Sequence, residues 1–130
     1  MEGVLPSAKP EAITKPTPNR LYEDVQLRIS RNRESGWLSF SGEIDSWNVD
    51  AVRAVLEKAL QGDGDVRVDV SQLLFCDVTG IRALVAVSGK LTAGRRVVLH
   101  GLDPRLQRVF GVIGWGQLPS LLIETEAGVN

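Results

Sequence analysis

Apolar and polar residues alternate over 22–30, where Val25, Leu27 and Ile29 are interleaved with Gln26 and Arg28. This period-2 pattern predicts a strand with one buried face. A polar stretch over 31–36 ending in Gly36 leads to a short apolar run at 37–41, so the two segments read as a hairpin. The period then lengthens. Val49, Val52, Leu56, Ala59 and Leu60 form one stripe, with Asp50, Arg53, Glu57 and Lys58 mostly off it, which predicts a helix over 48–60 with Asn48 as N-cap. Val66, Val68 and Val70 alternate with Arg67 and Asp69 as a third strand. Residues 79–91, apolar almost all round, predict a second helix that is deeply buried or covered by a partner. A fourth strand follows at 96–100. Asp103-Pro104 opens a third helix reaching about residue 113, by the N-cap and N1 preferences, and 121–124 form a last short strand. Helices of about twelve residues between strands predict an α/β fold, a mixed, largely parallel sheet with helices packed on it. Val25, Leu27, Val66, Val68, Leu84, Val85, Val98 and Leu99 are the expected core.

The first twenty residues hold four of the six prolines and no apolar period, so residues 1–20 read as a disordered tail, with a polyproline-like partner segment as the alternative. Residues 21–125 form the predicted domain and 126–130 a C-terminal tail. A total of 130 residues suits one core and hardly two. The net charge of -1 supplies no bulk positive field, which argues against generic nucleic-acid binding. The apolar runs are too short for membrane insertion, and the N-terminus lacks a secretory pattern, so a cytoplasmic protein is expected.

Enzyme signatures are sparse. One cysteine, Cys76, and one histidine, His100, cannot build a multi-His zinc centre or a zinc finger, so no metal or cofactor is expected. There is no phosphate loop and no GxSxG elbow, and the glycines at 62–64 and 114–116 read as turns. His100 ends a strand as a satisfied or partly exposed side chain rather than a general base. Glu43 and Asp45 read as solvated turn residues rather than an acid/base pair, and Cys76 as packing.

Two landmarks remain. The first, Phe40-Ser41-Gly42-Glu43-Ile44-Asp45, precedes the first helix. The second is the Phe75-Cys76-Asp77-Val78-Thr79-Gly80 turn into the second helix, where Thr79 as N-cap and Asp77 as a charge near the positive helix end would account for both residues locally. Trp47 is either a staple or core anchor or an exposed aromatic hot spot.

Together with the Val-x-Val-Asp-Val strand at 66–70 and the Asp-Pro-x-Leu-x-x-Val-Phe helix with its Gly-Trp end at 103–115, these landmarks resemble the STAS family. Its best-known members are bacterial anti-sigma factor antagonists. The resemblance spans about residues 22–124. It implies that the hydroxyl before the turn glycine, here Thr79, is phosphorylated by a partner that is both anti-sigma factor and serine/threonine kinase. Where the family turn is typically Asp-Ser-Ser-Gly, this chain has Val78 and a threonine. The resemblance implies a non-enzymatic switch that binds the partner and so releases a sigma factor. Its contact surface would comprise Gly42, Glu43, Asp45, Ser46 and Trp47 with Asp77, Val78, Gly80, Ile81 and Arg82. The alternatives are a constitutive scaffold in a stress-signalling or lipid-transport complex, and an enzyme with Asp77 as nucleophile. Monomer and homodimer are both open.

Overall fold

The computed structural model describes residues 19–92, 94–112, 119–125 and 128–129. Its strands are β1 (Asn19–Glu23), β2 (Leu27–Arg31), β3 (Leu38–Ile44), β4 (Val66–Cys76), β5 (Val97–His100), β6 (Leu121–Thr125) and β7 (Gly128–Val129). The helices are α1 (Val49–Ala59), α2 (Val78–Ser88) and α3 (Pro104–Val112). All seven strands lie in one mixed sheet in chain order. Strands β3 to β6 are parallel, as expected for its centre, and each parallel step is bridged by a helix. The pairings of β1 with β2, β2 with β3 and β6 with β7 are antiparallel.

The core forms where the two periods meet. Inward residues of the strands, among them Leu27, Phe40, Ile44, Val68 and Leu99, share one buried cluster with Val52 and Leu56 of α1, Ile81, Leu84 and Val87 of α2, and Phe110 of α3. Helix α2 buries a wide face, while Arg82 and Ala86 remain exposed. On the opposite face of the sheet, the Arg67 guanidinium stacks 5.6 Å from the Trp37 ring centroid, and the His100 imidazole meets that ring edge-on at 5.3 Å. Glu124 lies 3.5 Å from His100 Nδ1 and 3.9 Å from Arg67. His100 is thus half-exposed at the end of β5, between Trp37 and Glu124.

Several local expectations are corrected. The single strand predicted over 22–30 is two strands, because the Asp24 carboxylate accepts hydrogen bonds from the backbone N–H groups of Gln26 (2.7 Å) and Leu27 (2.8 Å) and turns the chain. Val25 sits in that turn and is fully exposed instead of buried. Val85 is only partly buried, whereas the other six predicted core residues are buried. Strand β1 begins at Asn19, inside the span read as a tail, and β7 lies inside the predicted C-terminal tail. Residues 1–18 lie outside the described residues.

The Asp24 turn has a consequence for acid stability. The Tyr22 hydroxyl donates to Asp24 Oδ2 at 2.5 Å. This bond, assisted by the Gln26 and Leu27 N–H groups and opposed by desolvation, holds the Asp24 carboxyl below its ordinary range. A lowered folded-state value contributes stability above the unfolded-state value, and that contribution is lost as pH falls through the folded-state value. Tyr22→Phe should raise the folded-state value, so acid unfolding followed by circular dichroism should begin at higher pH than in the parent.

Candidate partner-binding site

The site is built at the C-terminal ends of β3 and β4. Gly42 has φ +117°, and a Cβ there would lie 2.0 Å from the backbone carbonyl oxygen of Gln26, so only glycine lets β3 continue beside the Asp24 turn. The pairing of β3 with β4 shifts register between Gly42 and Glu43, and Glu43 N–H donates to Gln26 O. Strand β3 thus extends through the Gly42-Glu43-Ile44 segment that reads in the sequence as a junction, and the loop itself begins at Asp45.

Asn48 occupies the N-cap position of α1, but its side chain makes no cap hydrogen bond. Instead its Oδ1 accepts from Asp45 N–H at 3.1 Å and its Nδ2 donates to Glu43 O at 2.9 Å. This buried amide ties the loop to the end of β3. Asp45 Oδ1 accepts from Trp47 N–H at 2.9 Å, which completes a tight turn. Trp47 is 89% exposed, so it is neither a staple nor a core anchor.

The second loop is fastened to the first. Asp77 N–H donates to Ile44 O at 3.1 Å, which makes the two sequence landmarks neighbours. Asp77, not Thr79, is the N-cap of α2: its Oδ1 accepts from Gly80 N–H at 3.1 Å. The helix therefore begins at Val78. Thr79 sits in its first turn, exposed, with its Oγ1 donating to the same Asp77 Oδ1 at 2.5 Å. A cap needs an acceptor one residue before the first helical position, and the carboxylate of Asp77 meets that need better than a hydroxyl two residues on.

Gly80 and Ile81 belong to the floor of the site rather than to a contact surface. A Cβ on Gly80 would lie 2.5 Å from Cys76 Sγ and 2.7 Å from Ile44 Cγ2, so glycine lets the first turn of α2 settle onto the strand ends. Ile81 is buried in the core. Glu43, Ser46, Trp47, Val78, Thr79 and Arg82 are exposed, with Gly42, Asp45 and Asp77 half-buried between them.

Three apolar residues that the sequence reading did not assign to the contact surface complete this end. Leu74 and Phe75, at the end of β4, are exposed, as is Val25 in the turn beside Gly42. Leu73-Leu74-Phe75 is a run in which period-2 alternation cannot bury every member, and that is the signal the sequence held. Of the eight large hydrophobic residues exposed among the described residues, five lie at this end: Val25, Trp47, Leu74, Phe75 and Val78.

A family profile described as "Mlab, STAS domain" matches residues 27–124. The chain belongs to the STAS domain family. The anti-sigma-B factor antagonist of Bacillus subtilis (strain 168) is 22% identical over 108 residues, which cover 82% of this chain and 99% of that protein. The crystal structure of an anti-sigma factor antagonist from Mycobacterium paratuberculosis superimposes with a TM-score of 0.58 at 22% identity, over 73% of this chain and 82% of that one. The anti-sigma factor antagonist SpoIIAA in its unphosphorylated form gives a TM-score of 0.57 at 24% identity, over 78% of this chain and 90% of that one. These likenesses show a shared fold.

Within this STAS domain, Cys76 lies beneath the first turn of α2, against Gly80. Burial, with a smaller contribution from the Asp77 charge, pushes its thiol up to about 12. At pH 8 almost no thiolate is present, so Cys76 should react with a disulfide reagent only as fast as the protein opens. Absorbance monitoring should show slow modification in buffer and rapid modification in denaturant. No helix among the described residues is long and apolar enough to cross a membrane.

Proposed function

We propose that this STAS domain is a phosphorylation-switched, non-enzymatic binding module. It docks an anti-sigma factor that is also a serine/threonine kinase, thereby releases a sigma factor, and carries its phosphoacceptor at Thr79. The single observation that carries the reading is the position of the exposed Thr79 hydroxyl. It lies on the first turn of α2, at the sheet end where five large apolar side chains are exposed. Hydrophobic side chains give such a contact its affinity, and a charge placed among them removes it.

The magnitudes support a switch. A phosphate of about -2 charge placed about 6 Å from one carboxylate at a partly screened interface costs about 1–3 kcal/mol. That is a roughly ten- to hundredfold loss of affinity. The carboxylate that counts is one on the partner, since repulsion from Asp77, Glu43 and Asp45 within this chain acts in the free protein as well as in the complex. The likeness to proteins named as anti-sigma factor antagonists supports the partner class.

Pull-down of host proteins on the immobilised chain, with mass-spectrometric identification, tests the partner. The parent should retain an anti-sigma factor that transfers phosphate from ATP to Thr79. Trp47→Ala, a substitution at a fully solvated position, should weaken that retention at least tenfold without changing thermal stability. Phosphopeptides mapping away from Thr79 would overturn the switch.

A further inference from the structure

We infer that phosphorylation of Thr79 undoes the N-cap of α2, so that the modification loosens the first helical turn as well as adding charge to it. The inference rests on the reading of Thr79 as phosphoacceptor. What carries it is a single oxygen with two obligations. Asp77 Oδ1 accepts both the Thr79 hydroxyl, at 2.5 Å, and the Gly80 backbone N–H, at 3.1 Å. The hydroxyl hydrogen satisfies the carboxylate and draws it towards the helix.

Transfer from a nucleoside triphosphate forms a bond from Thr79 Oγ1 to the γ-phosphorus. The bond from that phosphorus to the bridging oxygen breaks, the diphosphate leaves and the hydroxyl proton is lost to solvent. Oγ1 is then an ester oxygen with no hydrogen to donate, and the attached phosphate is an anion beside the carboxylate. A threonine in a helix has two accessible χ1 rotamers, so the phosphate cannot swing far from its neighbour. The Asp77 backbone is held by Ile44 O, so what can respond to the neighbouring anion is its side chain. The carboxylate therefore turns away, and Gly80 N–H loses its acceptor.

The affected turn carries the exposed Val78 and Thr79, so the order of that part of the docking surface falls with the cap. Charge alone would leave α2 intact. The Cβ-free contact of Gly80 with Cys76 and Ile44 keeps the remainder of the helix seated.

The test is a cycle on the full chain, with phosphothreonine inserted at position 79 during translation so that no kinase is needed. Failure of a natural partner to phosphorylate Thr79 would sink the functional reading and leave this cycle unaffected. In the unmodified protein, Asp77→Ala should lower the thermal midpoint by about 3–8 °C. In the phosphorylated protein, the same substitution should lower it by less than half as much, because the cap has already gone. A drop of half or more overturns the inference. Amide hydrogen exchange at Gly80 in the chain with Asp77 intact provides the second readout, independent of whether the variant folds. The phosphorylated form should exchange at least about tenfold faster, and a smaller acceleration likewise overturns it.

Discussion

Leu84→Ala should lower the unfolding free energy by about 2–5 kcal/mol, the range for truncating a buried leucine whose surroundings only partly collapse into the cavity. Leu84 is 2% exposed in the middle of α2, within the cluster that joins α1, α2, α3 and the sheet. Urea unfolding should show an earlier midpoint with an unchanged slope, since the surface exposed on unfolding is nearly the same. A change under about 1 kcal/mol would mean that α2 does not pack where the structure puts it. Helix α2 also carries Thr79 and the proposed docking residues of its first turn, so the variant should keep its partner affinity only while the domain stays folded. Fold and function are separated by measuring binding well below the unfolding midpoint.

Thr79 should divide the switch from the scaffold. Thr79→Ala removes a hydroxyl that donates to Asp77 but leaves the Asp77 cap on Gly80 in place. The variant should therefore fold, lose phosphate incorporation and retain partner binding. Thr79→Glu should weaken binding by about tenfold, the low end of the range for a phosphate, because a carboxylate carries one charge on a different reach. Calorimetric titration against the partner checks both. Unchanged affinity in the Glu variant and in authentically phosphorylated protein would remove the switch and leave a constitutive docking module, with the STAS fold untouched. Val78 sharpens the experiment, since no second hydroxyl adjoins Thr79 in the turn.

Much of this protein was settled by its residues in order. Alternation at Val66, Val68 and Val70, helical spacing at Val49, Val52 and Leu56, and Asp103-Pro104 before α3 each reflect a local periodicity or stereochemical preference, and each element formed there, although β4 runs on past the alternating residues to Cys76. Family membership was legible for the same reason. Gly42 is required by the backbone and Gly80 by the close side chains of Cys76 and Ile44, and such requirements leave a readable residue behind.

Other features depended on contacts between segments distant in sequence. Val25 fits an alternating strand as well as a turn, and only the Asp24 carboxylate, bonded to Tyr22 and to two backbone N–H groups, decides for the turn. Asn48 has the right identity for a cap, yet its amide holds the end of β3. Asp77 and Thr79 both satisfy capping preferences, and the choice between them follows from where Ile44 O anchors the chain. For Trp47 the pattern left burial and exposure both open, and for Leu73-Leu74-Phe75 it showed only that some member must be exposed, because whether an apolar side chain is covered depends on the whole packed layer above it. Local preference identifies the elements, while the meeting of β3 and β4 side by side turns two separate motifs into one surface.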